Sequence, residues 1–395
     1  MLSQLVSELK PSPTLALASK AKELKAQGHD VISLTVGEPD WETYAKAKEA
    51  GKEAIESGQT RYTPASGTPE LRKAIAGMIN SQIGTDYEFT QVTVTSGAKF
   101  ILFSALSTLL DPEDEIIIPA PYWVSYTAMA NLCRAKSVIV EGQEANGFKI
   151  TADQFKTAIT DKTKVFLLNS PSNPTGMVYS KQELSEIAEV LKANPKVVVL
   201  SDDIYNQLSF NEDKFAPHLL QVAPELKDRV VCVNGVSKAY AMTGWRIGWA
   251  TGPKEIISGM TNFQSQALGC SSSVSQAASL AAIQYTQNDI NLALETLSQR
   301  RSFGLECLNE VDGFDLQTPE GAFYFWVSIK DVLAKSGLED SRAYSQKLLE
   351  EHNVVVVPGQ EFGMDGFIRL SYAVPNESMK QAADRFSEFH KNIMK

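Results

Sequence analysis

Runs of four to six apolar residues recur along this chain, separated from one another by stretches of helical character. Residues 91–95, 115–118, 136–140, 164–169 and 197–200 read as short strands, and 230–233 and 247–250 as two more around an irregular loop. The helical stretches between and around them span 42–57, 99–110, 151–159 with Thr151 as cap, and a segment reaching 192 that opens on a Ser180 and Glu183 capping box. Strands that are apolar throughout, rather than at alternate positions, are buried on both faces. The pattern therefore predicts an α/β fold around a mostly parallel sheet with helices on both sides. Ligands in such folds gather beyond the carboxyl ends of the strands. The polar, glycine-bearing segments of this sequence fall at those places.

The flanks look different. Ser12 and Pro13 open a helix over 15–26 that stops at Gly28, and a strand over 31–35 follows. One long helical region is expected from Pro253, its later part, 291–310, leading out of the sheet. Strand-like runs at 322–327, 354–357 and 367–371 form a second, smaller α+β unit. The expected division is a large domain over 45–290 followed by a smaller unit over 291–395.

Composition narrows the function. Lys plus Arg is 37 against 47 Asp plus Glu, a net charge of −10, which argues against a nucleic-acid partner. Cys133, Cys232, Cys270 and Cys307 form no C-x-x-C pair, and His29, His218, His352 and His390 show no ligand spacing. No metal site and no disulfide framework are expected; surface or capping roles are the default for the histidines. The start of the chain lacks the basic-then-apolar pattern of a secretory signal, and no apolar run reaches the roughly 18 residues of a membrane span. A cytoplasmic protein is expected.

The most informative segment, residues 234–249, reads NGVSKAYAMTGWRIGW. Lys238 stands beside Ser237, and Arg246 follows eight residues later. A lysine held near apolar surface loses its charge more readily and becomes a nucleophile towards carbonyls. A hydroxyl and an arginine fork suit a phosphate dianion. An amine for an aldehyde together with a phosphate cradle is what pyridoxal phosphate requires. The pattern Ser-Lys-x-Tyr-x-x-x-Gly-Trp-Arg-x-Gly resembles the cofactor-lysine segment of class I pyridoxal-phosphate-dependent aminotransferases. Motifs similar to that family's occur in order from residue 37 to residue 369. They include Gly-Glu-Pro-Asp at Gly37 and Asn-Pro-x-Gly at Asn173, directly after a strand. The resemblance implies a fold type I transferase whose small domain joins 1–44 to 291–395, Lys238 as catalytic residue and a ping-pong exchange of amino groups between an amino acid and a 2-oxo acid.

The other parts read as follows. Gly37, otherwise a plain turn, has a bare backbone that admits a substrate carboxylate. Gly97, Ala98 and Lys99 open a helix after a strand, where backbone N–H groups and the helix dipole favour an anion; a simple connecting turn fits the local pattern equally. Trp123 offers a face for the pyridine ring, with core packing as the alternative, and resembles the aspartate-handling branch. The Asn173 amide suits the phenolate oxygen of the cofactor, and Tyr205 the same atom. Asp202, which the family pattern Asp-x-x-Tyr selects over its neighbour Asp203, faces the ring nitrogen. Arg369, between Ile368 and Leu370, matches a carboxylate with two hydrogen bonds; an ion pair at a domain boundary is its alternative. Phe100 departs from the Gln that many relatives carry. In the family a tyrosine at the position of Tyr62 reaches the phosphate in the other subunit, which implies a homodimer with shared sites. The bacterial-type aspartate and prephenate branch uses its N-terminal segment for the second carboxylate of its substrates. Lys10, with Ser12 and Thr14, stands there, and no arginine occurs over 262–275; a solvated Lys10 is the alternative. Aspartate or glutamate is therefore expected as donor. A broad aromatic or alanine-type aminotransferase, a C–S lyase of the same fold and a non-catalytic relative are the rivals. A nicotinamide enzyme is disfavoured because no G-x-G-x-x-G follows the first strand.

Overall fold

The computed structural model describes residues 2–7, 13–35 and 37–394 of the 395-residue chain. Thirteen strands are named in chain order: β1 (Ile32–Ser33), β2 (Val92–Thr95), β3 (Glu115–Ala120), β4 (Lys136–Glu141), β5 (Thr163–Asn169), β6 (Val198–Asp202), β7 (Val230–Gly235), β8 (Gly248–Thr251), β9 (Asp315–Leu316), β10 (Tyr324–Ser328), β11 (Val354–Val355), β12 (Val357–Pro358) and β13 (Phe367–Ser371).

Seven of them form one sheet in the order β2-β8-β7-β6-β5-β3-β4. The pairs β7–β6, β6–β5, β5–β3 and β3–β4 are parallel, whereas β8 runs antiparallel to both of its neighbours. The apolar runs are continuous because alternate side chains enter two cores. Ile117, Phe166, Leu168, Val199 and Cys232 pack on one face with the helices Pro69–Ile83 and Lys181–Ala193. Ile116, Ile118, Val165, Leu167, Leu200, Val231 and Val233 pack on the other with Ala98–Leu109 and Lys254–Ala267. The capping boxes at Thr151 and Ser180 form as the sequence indicates.

Two expectations need correction. The helical region after Pro253 is three helices, Lys254–Ala267, Ser273–Tyr285 and Gln287–Asn309. Gly269 at φ +87° takes the chain out of the first, and the Ser272 side chain accepts the N–H of Ser275 to start the second. The strand expected over 31–35 is only β1, because its partner β11 is equally short.

The four-stranded antiparallel sheet β12-β13-β10-β9 gathers the C-terminal segment. β1 and β11 pair in parallel as a separate two-stranded sheet, and the Leu34 carbonyl accepts the Ser371 N–H from the end of β13 at 2.8 Å. The last helix, Asn376–Ile393, buries Met379, Ala382, Ala383, Phe386 and Phe389 beneath this layer. Among the described residues no helix is long and apolar enough to cross a membrane.

Candidate active site

A cavity of about 470 Å³ opens where β2, β3, β5, β6 and β7 end, and residues from β10 and β13 close its other side. Its walls include Gly37, Ala98, Lys99, Trp123, Asn173, Asp202, Tyr205, Ser237, Lys238, Arg246 and Arg369. Most of the residues singled out in the sequence thus converge from positions as far apart as 37 and 369.

Lys238 follows β7 in a turn that places its ammonium against the Gly37 carbonyl, to which it donates. Burial, then the neighbouring Arg369 charge, lowers its pKa to about 8. Gly37 is required by close approach, since a Cβ there would lie 2.9 Å from Tyr324 Oη. Ser237 is buried beside Lys238. Arg246 adopts φ +57° and donates to the Thr243 carbonyl at 2.9 Å. Its guanidinium lies against Gly97, where a Cβ would approach Nη2 to 2.5 Å. Gly97, at φ +84° and ψ 157°, precedes the helix Ala98–Leu109, so the N-terminus of that helix, Ser237 and Arg246 share one corner of the cavity.

Asp202 ends β6 with its side chain 3% exposed. Oδ2 accepts the Tyr126 hydroxyl at 2.7 Å and Oδ1 the Ile204 N–H at 3.3 Å. Burial raises its pKa to about 6, opposed by the Tyr126 hydrogen bond. Asp203 points to the other face, where it accepts from Ser201 Oγ at 2.7 Å and lies 3.3 Å from His218 Nε2. Only Asp202 of the two lines the cavity.

Arg369 is 3% exposed. It donates to Asn173 Oδ1 at 3.0 Å and to the Thr35 carbonyl at 2.7 Å, while its Nε has no partner. The rings of Tyr324 and Phe362 lie 4.4 and 5.0 Å from its guanidinium carbon. No carboxylate pairs with it among the described residues, so the ion pair weighed as an alternative is not formed. A buried cation without a counter-ion is costly, and an incoming anion relieves that cost.

Lys99 reaches over the Trp123 ring, its Nζ 5.0 Å from the centroid, and burial with the nearby Arg246 lowers its pKa. Phe100 turns away to pack with Phe103 and Phe263. Tyr205 Oη and Tyr324 Oη are 2.8 Å apart. Tyr62 is 99% exposed and does not line this chain's cavity. Lys10 and Ser12 lie outside the described residues.

Sequence reasoning missed Tyr126, Tyr324 and Lys22, which also line the cavity. Tyr126 stands three residues after Trp123, in the first turn of the helix Ser125–Leu132, with its N–H donating to the Trp123 carbonyl at 3.0 Å and the two rings meeting edge to face. Tyr324 and Lys22 carried no local signal. Also missed was a buried group outside the cavity, Asp203, His218 and Cys232, whose potential ligand atoms lie within 4.8 Å of one another. His218 Nδ1 accepts the Leu220 N–H at 3.1 Å as a helix cap. Metal binding through Nε2 would move the proton to Nδ1, against that N–H.

The family model described as aminotransferase class I and II matches residues 29–386. A probable aspartate/prephenate aminotransferase of Rhizobium leguminosarum bv. phaseoli is 43% identical over 393 residues, 98% of each chain. The aspartate aminotransferase of Geobacillus stearothermophilus is 42% identical over 388 residues, again 98% of each. Among solved structures, an aspartate aminotransferase from Rhizobium meliloti superimposes with a TM-score of 0.93 at 40% identity over 99% of both chains. One from Thermus thermophilus with maleate gives 0.92 at 37% over 98% of this chain and 99% of that one.

Proposed function

The chain belongs to the class I and II aminotransferase family, and we propose that it uses pyridoxal phosphate to move the amino group of aspartate or glutamate to a 2-oxo acid, prephenate being a further acceptor. The observation that carries this reading is the presence, in one cavity, of a desolvated Lys238 amine and the buried Arg369, which has no carboxylate partner among the described residues. The donor set fits the cofactor: an amine for its aldehyde, Asp202 at the end of β6 for its ring nitrogen, and Ser237, Arg246 and the helix N-terminus for its phosphate. Trp123 supplies a stacking face, and Asn173 and Tyr205 supply donors. When bound, pyridoxal phosphate provides the electron sink for breaking bonds at the amino acid Cα.

Arg369 takes the substrate α-carboxylate in its fork and so fixes which Cα bond faces Lys238. Lys238 Nζ, with its pKa near 8, would take the proton from the substrate Cα as general base and give it up on the cofactor side as general acid. Asp202, ionised above about pH 6, keeps the ring nitrogen protonated, and Tyr126 orients it. Lys99 and Lys22, neither paired with a carboxylate among the described residues, line the cavity and meet the substrate's second carboxylate together with Lys10. The small unit, residues 1–44 and 291–395, closes on the large one, 45–290, to exclude water. Tyr62, solvated in the single chain, completes the phosphate site of a second copy in a cytoplasmic homodimer.

A half-reaction tests the reading. Aspartate added alone to the loaded enzyme should yield stoichiometric oxaloacetate and the aminated cofactor, and 2-oxoglutarate should reverse the spectrum. Release of ammonia with no aminated cofactor would replace the transferase with a lyase.

A further inference from the structure

Asp203 is a buried acid one residue from the carboxylate that faces the cavity. It lies on the opposite side of the sheet, among groups that the reaction itself does not use. His218 faces it from the segment after Ala216, Cys232 from β7, and Tyr87 from the chain ahead of β2. Asp202 in turn is faced by Tyr126, Tyr205 and Lys238. Both tyrosines on Asp202 and Tyr87 are held as neutral phenols by burial. Burial also raises the Cys232 thiol. Among the described residues, His218 is then the one group placed to offer the Asp203 carboxylate an N–H from outside its own strand. Burial would lower the pKa of its ring, but Asp203 and Cys232 outweigh that and raise it to about 10. The capping bond from Leu220 to Nδ1 works against a second proton. In both charge states Nε2 carries the proton aimed at Asp203 Oδ2, 3.3 Å away, with Cys232 Sγ at 3.7 Å.

We propose that His218 is a positioning residue for the amino transfer: its Nε2–H holds Asp203 on the far face of the sheet and screens its charge, so that Asp202 stays ionised opposite the cofactor ring. The inference rests on the aminotransferase reading above. Without His218, the Asp203 carboxylate keeps, among the described residues, only Ser201 Oγ, and an unscreened like charge next to Asp202 favours the protonated form of Asp202.

The test uses His218→Asn, whose side chain still accepts the Leu220 N–H but is too short to reach Asp203, and the double variant His218→Asn with Asp203→Asn. Holoenzymes carrying cofactor labelled with ¹⁵N in the ring are titrated by NMR, and the pH profile of kcat/KM is recorded in parallel. In His218→Asn the acidic limb should move up by about one pH unit, with the ring nitrogen losing its proton signature over the same range. The double variant, with no charge at 203, should return both to the native position. An unmoved limb and ring signal in a folded His218→Asn holoenzyme overturns the proposal. Equal displacement in the single and double variants also overturns it, because the effect would then be the lost packing of the imidazole. If the native enzyme itself takes up no pyridoxal phosphate, the aminotransferase reading fails first, and the two failures are distinct.

Discussion

Asp202 and Asp203 are consecutive acids with opposite surroundings, and the difference has a thermodynamic consequence. Burial raises Asp202 from 3.8 to about 6. Its folded-state pKa lies above the unfolded one, so the folded chain binds this proton more tightly. The stability it contributes is present at low pH and is lost as pH rises towards 6. About two units correspond to roughly 3 kcal/mol at neutral pH in the cofactor-free protein. Asp202→Asn should therefore raise the melting temperature of the cofactor-free protein at neutral pH while abolishing efficient transfer. The gain should shrink as pH falls from about 6 towards about 4. A lower melting temperature for the Asn variant at neutral pH would show that the carboxylate is stabilised by its partners instead. At this scale the sequence was most readable where chemistry demands a residue type in a recognisable setting: Lys238 after Ser237, Asn173 in its turn, Arg369 inside an apolar strand. Tyr126 and Tyr324 were hidden because their roles come from tertiary contact with Asp202 and Tyr205, and a tyrosine in an apolar run looks the same whether it packs or donates. His218 was legible as a cap, but its approach to Asp203 depends on where β6 and β7 lie.

The junction of β2 and its following helix ties local backbone to the phosphate corner. Gly97 sits at φ +84° and ψ 157°, a region open in practice to glycine alone. A side chain there costs about 1–3 kcal/mol in backbone strain. It would also displace Arg246, whose Nη2 lies 2.5 Å from the position of an added Cβ. Gly97→Ala should lower affinity for pyridoxal phosphate by about tenfold or more, because one charge-assisted phosphate contact contributes about 1.5–3 kcal/mol. Equilibrium binding followed by absorbance measures this, and unchanged affinity would remove Arg246 and Gly97 from the phosphate site. The elements with paired end signals, such as the helix Lys181–Ala193, were readable to within a residue or two. The breaks at 268–272 and at Thr286 were not, since Ser272 looks like a polar residue on one long helix until its cap on Ser275 is seen, and Thr286 donates its hydroxyl back to the Ala282 carbonyl and caps nothing.

At the scale of the whole molecule, the parallel order of the central sheet followed from continuous apolar runs, while β8 required the structure because strand direction leaves no trace in a four-residue run. The attachment of the N-terminal segment to the C-terminal layer, through β1 pairing with β11 and the bonds of Ser371 to Leu34 and Arg369 to Thr35, was foreseen only from the family resemblance. Tyr62, 99% exposed, is a large aromatic with nothing to cover it in one chain. In a dimer with shared sites, mixing inactive Tyr62→Ala and Lys238→Ala variants should restore activity, because one site in each mixed dimer receives both intact groups. No recovery in verified mixed dimers would confine Tyr62 to its own surface. The central claim is that Lys238 is the amine that holds the cofactor. Borohydride reduction of the enzyme loaded with pyridoxal phosphate, followed by peptide mass spectrometry, tests it directly. The account predicts a single pyridoxyl-modified lysine at Lys238 and loss of activity in step with its formation. A modification at Lys22 or Lys99 with Lys238 unmodified would contradict it.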